Sequence, residues 1–231
     1  MKKSLLFLCV LAFVSFTANA KDYDWKETKN CEQTSELKCD LSGNPITGKV
    51  IVNSRDGSVR VNEYNYKNGK KDGIQQMRHE NGNLAWEINY KDGIPDGISK
   101  MYYEDGKLQE DTEYQNGKIV SQKVFFKNGS LFALIEGSIA DNLEGGLKFY
   151  YETGELKLES TRKNNGLDGQ TTIYRKNGKP KYKITIKNGK DFSGYSYDKN
   201  NVKKAMSEEK IKKVLTKYGE EYSSTLDSIL N

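Results

Sequence analysis

Between residues 47 and 202 apolar and polar positions alternate in short runs, and glycine cuts the runs at a regular spacing. A glycine followed nine residues later by a second recurs at Gly48/Gly57, Gly73/Gly82, Gly97/Gly106, Gly145/Gly154 and Gly169/Gly178. Successive leading glycines stand 25 or 24 residues apart, with one gap of 48 between Gly97 and Gly145. That gap holds a weaker copy, "QKVFFKNGSL", with Val120 in the leading position and Gly129 in the second. Six copies therefore run from about residue 47 to 190, and a fading seventh, "GYSYDKNN", begins at Gly194. Positions two, four and six past the leading glycine share one face of a strand. The middle one is apolar throughout: Val52, Met77, Met101, Val124, Phe149 and Ile173. Odd positions such as Lys100, Lys123 and Lys148 face water. The second strand of each copy opens on another apolar column: Val59, Leu84, Leu108, Leu131, Leu156 and Pro180.

Each copy carries two turn signals. One is the D-G, N-G or T-G that ends at Gly57, Gly82, Gly106, Gly129, Gly154 or Gly178. The other closes the copy, as at Asn68-Gly69, Asp92-Gly93, Asn116-Gly117 and Asn188-Gly189. Such dipeptides accept the positive φ of tight hairpin turns. Tyr, Phe, Val, Ile and Thr between the turns favour strands. The expectation is an all-β fold: an elongated, single-layer antiparallel meander of β-hairpin repeats. Twelve to fourteen strands would span about 60 Å at about 4.8 Å per strand, each repeat touching only its neighbours.

The phrases "YYEDGKLQEDTEYQNG" and "YYETGELKLES" resemble the MORN-repeat-variant family of bacteria, whose units look like Y-Y-x-N-G-K-L … Y-x-N-G-K-x-D-G. The resemblance covers roughly residues 47–202. It implies the repeat fold. Some bacterial members are labelled antitoxins, and eukaryotic MORN proteins are associated with membranes and scaffolding; neither label brings a catalytic motif. The copy at 118–142 departs from the pattern, because "SIADNLEGG" lacks the N-G turn, and a bulge or longer loop is expected there.

The flanks divide the rest of the chain. Ser207 is placed to cap a helix with Glu208 and Glu209 in its first turn. Ile211, Val214, Leu215, Tyr218, Tyr222, Leu226 and Ile229 then recur at helical spacing. This predicts an amphipathic helix over 207–230, with a kink at Gly219, that caps the last hairpins. Its polar face mixes Lys210, Lys212, Lys213 and Lys217 with Glu220, Glu221 and Asp227, which argues against a membrane surface. Residues 21–46 would cap the other end. There Cys31 and Cys39 read as a structural disulfide; closing its short loop is worth about 2.5 kcal/mol in the chain-entropy picture.

Residues 1–20 read as a signal peptide, with Lys2 and Lys3 before an apolar run from Leu5 to Phe16 and an A-x-A site at Ala18–Ala20. Cleavage after Ala20 would leave the protein periplasmic or secreted. Cys9 lies inside the apolar run, so no lipid attachment is expected, and no later stretch is apolar enough for a transmembrane segment. Removing Lys2 and Lys3 leaves 35 basic residues against 32 acidic ones. That mild balance argues against a nucleic-acid partner.

The sequence holds no nucleophile elbow, phosphate loop or zinc-protease motif. The single histidine, His79, sits in a repeat column otherwise filled by Tyr, Phe, Ser or Arg, which makes it a column substitution. Asp72-Gly73, Asp92-Gly93, Asp96-Gly97 and Asp168-Gly169 read as turn chemistry rather than calcium ligands. No catalytic residue, metal or cofactor is expected, and the chain reads as a non-enzyme. The candidate binding feature is an aromatic stripe of Tyr102, Tyr103, Phe125, Phe126, Tyr150, Tyr151 and Tyr174. Because these fall on adjacent positions, some point to each face. The expected partner is another protein, held on one face or edge of the sheet. The alternatives are an antitoxin or immunity role and a cell-wall glycan-binding module. Glycan- and choline-binding hairpin repeats lean on Trp, and only Trp25 and Trp86 occur here.

Overall fold

A computed structural model describes residues 21–31, 34–53, 61–137, 145–163 and 166–230. The strands are β1 (Tyr23–Asp24), β2 (Thr28–Cys31), β3 (Thr34–Asp40), β4 (Gly48–Asn53), β5 (Val61–Lys67), β6 (Lys70–Lys71), β7 (Gly73–Arg78), β8 (Leu84–Lys91) and β9 (Ile94–Tyr102). They continue as β10 (Leu108–Gln115), β11 (Lys118–Phe125), β12 (Leu131–Glu136), β13 (Gly145–Tyr150), β14 (Leu156–Lys163), β15 (Gly166–Tyr174), β16 (Pro180–Lys187), β17 (Asp191–Tyr197) and β18 (Lys203–Ala205), before helix α1 (Glu208–Leu230). One sheet of 16 strands holds all but β2 and β3, and from β7 to β18 its spatial order is the order of the chain. This is the long antiparallel meander of hairpins that the alternation predicts. It gains extra strands at its margins: β1 adds in parallel to β4, and β6 pairs β5.

The two turn signals give two different turns. In Asn68-Gly69, Asp92-Gly93, Asn116-Gly117 and Asn188-Gly189 both residues have positive φ, from 49° to 90°. This is the two-residue type I′ geometry, whose twist matches that of the flanking strands. At the other turn only the glycine is left-handed: Gly82, Gly106, Gly129, Gly154 and Gly178 have φ of 87°, 83°, 88°, 97° and 74°. There Gly106 N donates to Tyr103 O at 2.9 Å and Tyr103 N to Lys107 O at 2.9 Å. A one-residue bulge follows, at Gln109 in that hairpin, and recurs at Ala85, Phe132, Lys157 and Lys181. Gly57 and Val59 lie outside the described residues.

The four D-G pairs are not all turns. Asp92-Gly93 is one, but Asp96-Gly97 lies inside β9 and Asp168-Gly169 inside β15. Gly97 and Gly169 have φ of 95° and 94°, and register shifts fall beside them. Asn89 Nδ2 donates to Asp96 O at 2.7 Å, and Thr161 Oγ1 donates to Asp168 O. The glycines thus serve strand irregularities held by a neighbouring side chain.

The N-terminal hairpin β2–β3 is cross-linked by Cys31–Cys39, with Cα atoms 5.1 Å apart. It docks on the first described type I′ turn, where Lys38 N donates to Gly69 O and Gly69 N to Ile46 O, both at 2.7 Å. At the other end Ser207 caps α1, its Oγ accepting from Lys210 N at 3.4 Å. The helix runs through Gly219 without interruption. The helix does not cover the sheet's last edge, as an end cap would. It lies across the face of the C-terminal hairpins, because its apolar stripe finds apolar partners on that face. The edge itself is the three-residue β18, guarded by Lys203 and Lys204, a short charged edge of the kind that discourages pairing between chains.

Candidate functional site

Cross-strand register sorts side chains into rows along the sheet. One row runs Met77–Trp86–Met101–Glu110–Val124–Ala133–Phe149–Leu158–Ile173–Tyr182. It contains the apolar middle column of the repeat. Beside it runs Gln75–Ile88–Ser99–Thr112–Gln122–Ile135–Leu147–Ser160–Thr171–Ile184 on the same face. Several of its polar members are buried and bonded to each other or to neighbours. Ser160 and Thr171 share a hydroxyl bond at 2.6 Å, and Thr112 Oγ1 donates to Glu110 at 2.6 Å.

Helix α1 occupies the C-terminal stretch of this inner face. Ile211 packs with Ile184 and Ile186, and Val214 bridges the two clusters. Tyr218 and Tyr222 join Val124, Phe132, Leu158 and Ile173, and Tyr222 stacks on Phe149 with ring centroids 3.8 Å apart and planes 5° from parallel. The spacing explains the fit. Ile211 to Tyr222 advances the helix by about 16 Å, close to the roughly 14 Å that separates β16 from β13. Two residues from the bulge column anchor it. Lys157 Nζ lies 2.5 Å from Glu221 Oε1, and Lys181 Nζ donates to the Tyr218 hydroxyl at 3.4 Å. Burial, then the Glu221 carboxylate, pushes the Tyr222 hydroxyl far above the ordinary tyrosine range.

Beyond Tyr103 the same row continues with no helix described over it. Met77, Trp86 and Met101 line an open trough of about 590 Å³, with His79 and Tyr103 along it. Met101 is 37% exposed, and Tyr64 lies against Trp86 with centroids 6.5 Å apart. This is the candidate site: an apolar surface with polar margins, contiguous with one that already holds a helix.

The predicted aromatic stripe is split between the faces. Tyr103, Phe126 and Tyr151 belong to the inner face; Tyr103 is 7% exposed and part of the core. Tyr102, Phe125, Tyr150 and Tyr174 belong to the outer face, where they register with Leu108, Leu131, Leu156 and Pro180. Tyr102 donates to Glu87 at 3.1 Å and Tyr174 donates to Glu159. Burial, then the charge and hydrogen bond of Glu87, raises the Tyr102 hydroxyl to about 12. Adjacent strand positions cannot form one surface, since successive side chains point to opposite faces.

The outer face also carries a charged stretch. Glu87, Lys100, Asp111 and Lys123 oppose one another in register with alternating sign, as cross-strand pairs that support a solvated sheet. Sequence reasoning missed the bulge column. A bulge leaves both of its residues on one side, so Phe132 and Lys157 reach the core. The column carries no residue type in common, which is why no pattern announced it. It also missed Tyr66, Tyr90 and Tyr114, which oppose Gly48, Gly73 and Gly97; the Tyr two positions before Asn68, Asp92 and Asn116 was the available signal.

His79 behaves as a column substitution. Its Nε2 stands 2.8 Å from Tyr102 O, where Tyr103 Oη donates to Phe125 O at 2.7 Å one copy later. Among the described residues, no three His, Cys, Asp or Glu side chains are grouped to hold a metal, and no helix is long and apolar enough to cross a membrane.

Four segments, 71–92, 95–116, 143–164 and 167–188, match the family model described as the MORN repeat variant. The weaker copy led by Val120 and the first copy fall outside the matched segments, yet both form strands of the same sheet. The chain therefore carries MORN-variant repeats, which suggest a repeat-built protein-binding module. No curated protein matches the chain.

Proposed function

We propose that this chain of MORN-variant repeats is an exported, non-enzymatic module that binds another protein in the open trough of its inner face. One observation carries the reading. The row that receives Tyr222 at Phe149 and Leu158 continues through Met101, Trp86 and Met77, where the described residues place nothing over it. Apolar surface that is packed in one half of a repeat array and open in the other half suits a partner on the open half.

Export rests on the leader pattern of residues 1–20, which lie outside the described residues, and on the Cys31–Cys39 disulfide, a bond that persists in oxidising compartments. Mass spectrometry of the protein from its host should find an N-terminus at Lys21. An intact Met1 or Lys2 would remove the export half of the proposal.

Binding is tested by capture from the host's envelope extract with the wild-type chain, Met101→Glu in the trough and Lys123→Glu on the outer face. A partner held by the wild type and by Lys123→Glu, and lost with Met101→Glu, is the expected result. Retention by Met101→Glu with the fold intact would move the site off this trough.

A further inference from the structure

We infer that the cleft between the disulfide-bonded hairpin and the repeat sheet is a second, electropositive subsite that takes an acidic, leucine-rich segment of a protein partner. This rests on the protein-binding reading and adds a separate surface to it. The cleft has a volume of about 800 Å³. One wall is Leu37 and Lys38 of β3; the other is built by Tyr66, Lys70 and Lys71, with Tyr90 and Ile94 across from the hairpin.

The wall is held firmly. Leu37 and Lys38 lie inside the loop closed by Cys31–Cys39. A Cβ placed on Gly69 would meet Lys38 O at 2.9 Å and Leu37 Cβ at 3.4 Å, so the hairpin seats directly on that turn. Concave sites at the junction of two substructures, formed before the ligand arrives, are where ligands are commonly held.

Among the described residues no ion pair engages Lys38, Lys70 or Lys71, and Asp92 is the sole acid in the lining. Three lysines against one aspartate in the lining favour an anionic ligand and steer its approach. The rest of the lining selects its type. Ile94 is 50% exposed beside Pro95 and Leu37, a surface that aliphatic side chains cover well. The Tyr90 ring already carries the Lys71 ammonium 5.0 Å from its centroid, so that face is not free to stack a sugar. Carboxylates interleaved with leucine-like side chains satisfy both halves of the cleft.

The test titrates the purified protein with a synthetic peptide of alternating glutamate and leucine, its lysine–leucine counterpart, and a galacturonate oligomer. The glutamate–leucine peptide should bind, and its Kd should rise at least fivefold in Lys38→Gln/Lys70→Gln and at least threefold between low and high salt. Lys190→Gln/Lys199→Gln, on turns remote from the cleft, should bind it as the wild type does. Reducing Cys31–Cys39 should weaken binding, provided circular dichroism shows the repeats intact. No saturable binding, or an unchanged Kd in Lys38→Gln/Lys70→Gln, overturns the inference. Tighter binding of galacturonate overturns the peptide assignment in favour of a glycan. Loss of this subsite leaves capture through Met101 untouched, so the two readings fail separately.

Discussion

The sixth position after each leading residue, Gly73, Gly97, Val120, Gly145 and Gly169, holds His79, Tyr103, Phe126, Tyr151 and Arg175 in five successive copies. Four of the five donate to a backbone carbonyl one copy further on: those of Tyr102, Phe125, Tyr174 and Tyr197. A carbonyl only accepts, so His79 must carry its proton on Nε2. Phe126 cannot donate; its ring meets Phe132 edge-on, with centroids 5.1 Å apart. Phe126→Tyr should therefore add the missing bond and stabilise the protein by about 1 kcal/mol, while Tyr103→Phe should cost about as much. Urea midpoints of the two variants check both signs. Tyr222 presents the opposite case. Its hydroxyl is buried and, among the described residues, has no partner. Tyr222→Phe keeps the stack on Phe149 and removes an unpaired polar atom, so it should leave stability unchanged or raise it by up to about 1 kcal/mol. Alkaline pH acts through the same groups. Burial is the leading cause that raises Tyr102, Tyr103, Tyr151, Tyr218 and Tyr222. A tyrosine raised in the folded state gives its full stabilisation below its unfolded value, about pH 10, and loses it as pH climbs through the folded value. Urea midpoints should hold level to about pH 9.5 and fall steeply above it; a level course to pH 12 would contradict the burial of these rings.

At the scale of elements, the closing N-G and D-G pairs were legible because a two-residue hairpin needs positive φ at both positions and few residues tolerate it. The leading glycines were legible as positions and misleading as turns, since a turn and a strand irregularity make the same demand. The surroundings separate them. A Cβ on Gly169 would lie 2.3 Å from Thr161 Oγ1, and one on Gly178 would meet nothing within 4 Å, though both have positive φ. Gly178→Ala should cost about 1 kcal/mol, the left-handed penalty alone. Gly169→Ala adds a collision and disturbs the bond from Thr161 to Asp168, and should cost roughly 3 kcal/mol. Equal losses in denaturant would show that crowding is not what fixes this glycine. Helix α1 was legible from Ile211, Val214, Leu215, Tyr218 and Tyr222 at helical spacing. Its seat was not, because a stripe records that a face is buried and not what buries it. The pairing of Cys31 with Cys39 could be read from their number and the oxidising compartment that the leader pattern predicts; that they frame a cleft with Lys38 depends on how the hairpin docks on Gly69, which no local pattern encodes.

At the scale of the whole molecule, a repeat sheet has no single core, so its stability is distributed as local packing is. The C-terminal hairpins have a helix across them, and Ile173, Ile184 and Ile211 are fully buried. The hairpins from β7 to β9 carry Met77, Trp86 and Met101 on the open trough. Local opening costs least where few apolar contacts must be broken. Native-state hydrogen exchange should therefore grade along the chain, with amides of β14 to β16 exchanging at least tenfold more slowly than those of β7 to β9. A protein bound in the trough should reverse this order locally, because it would supply over Met77, Trp86 and Met101 the cover that Tyr218 and Tyr222 supply over Phe149 and Leu158. Uniform exchange from β7 to β16 in the free protein would mean the sheet opens as one unit, and the trough would then gain nothing from a partner that the rest of the array lacks. Graded exchange that flattens when the captured protein is added would link the uneven stability of the array to the surface on which it binds.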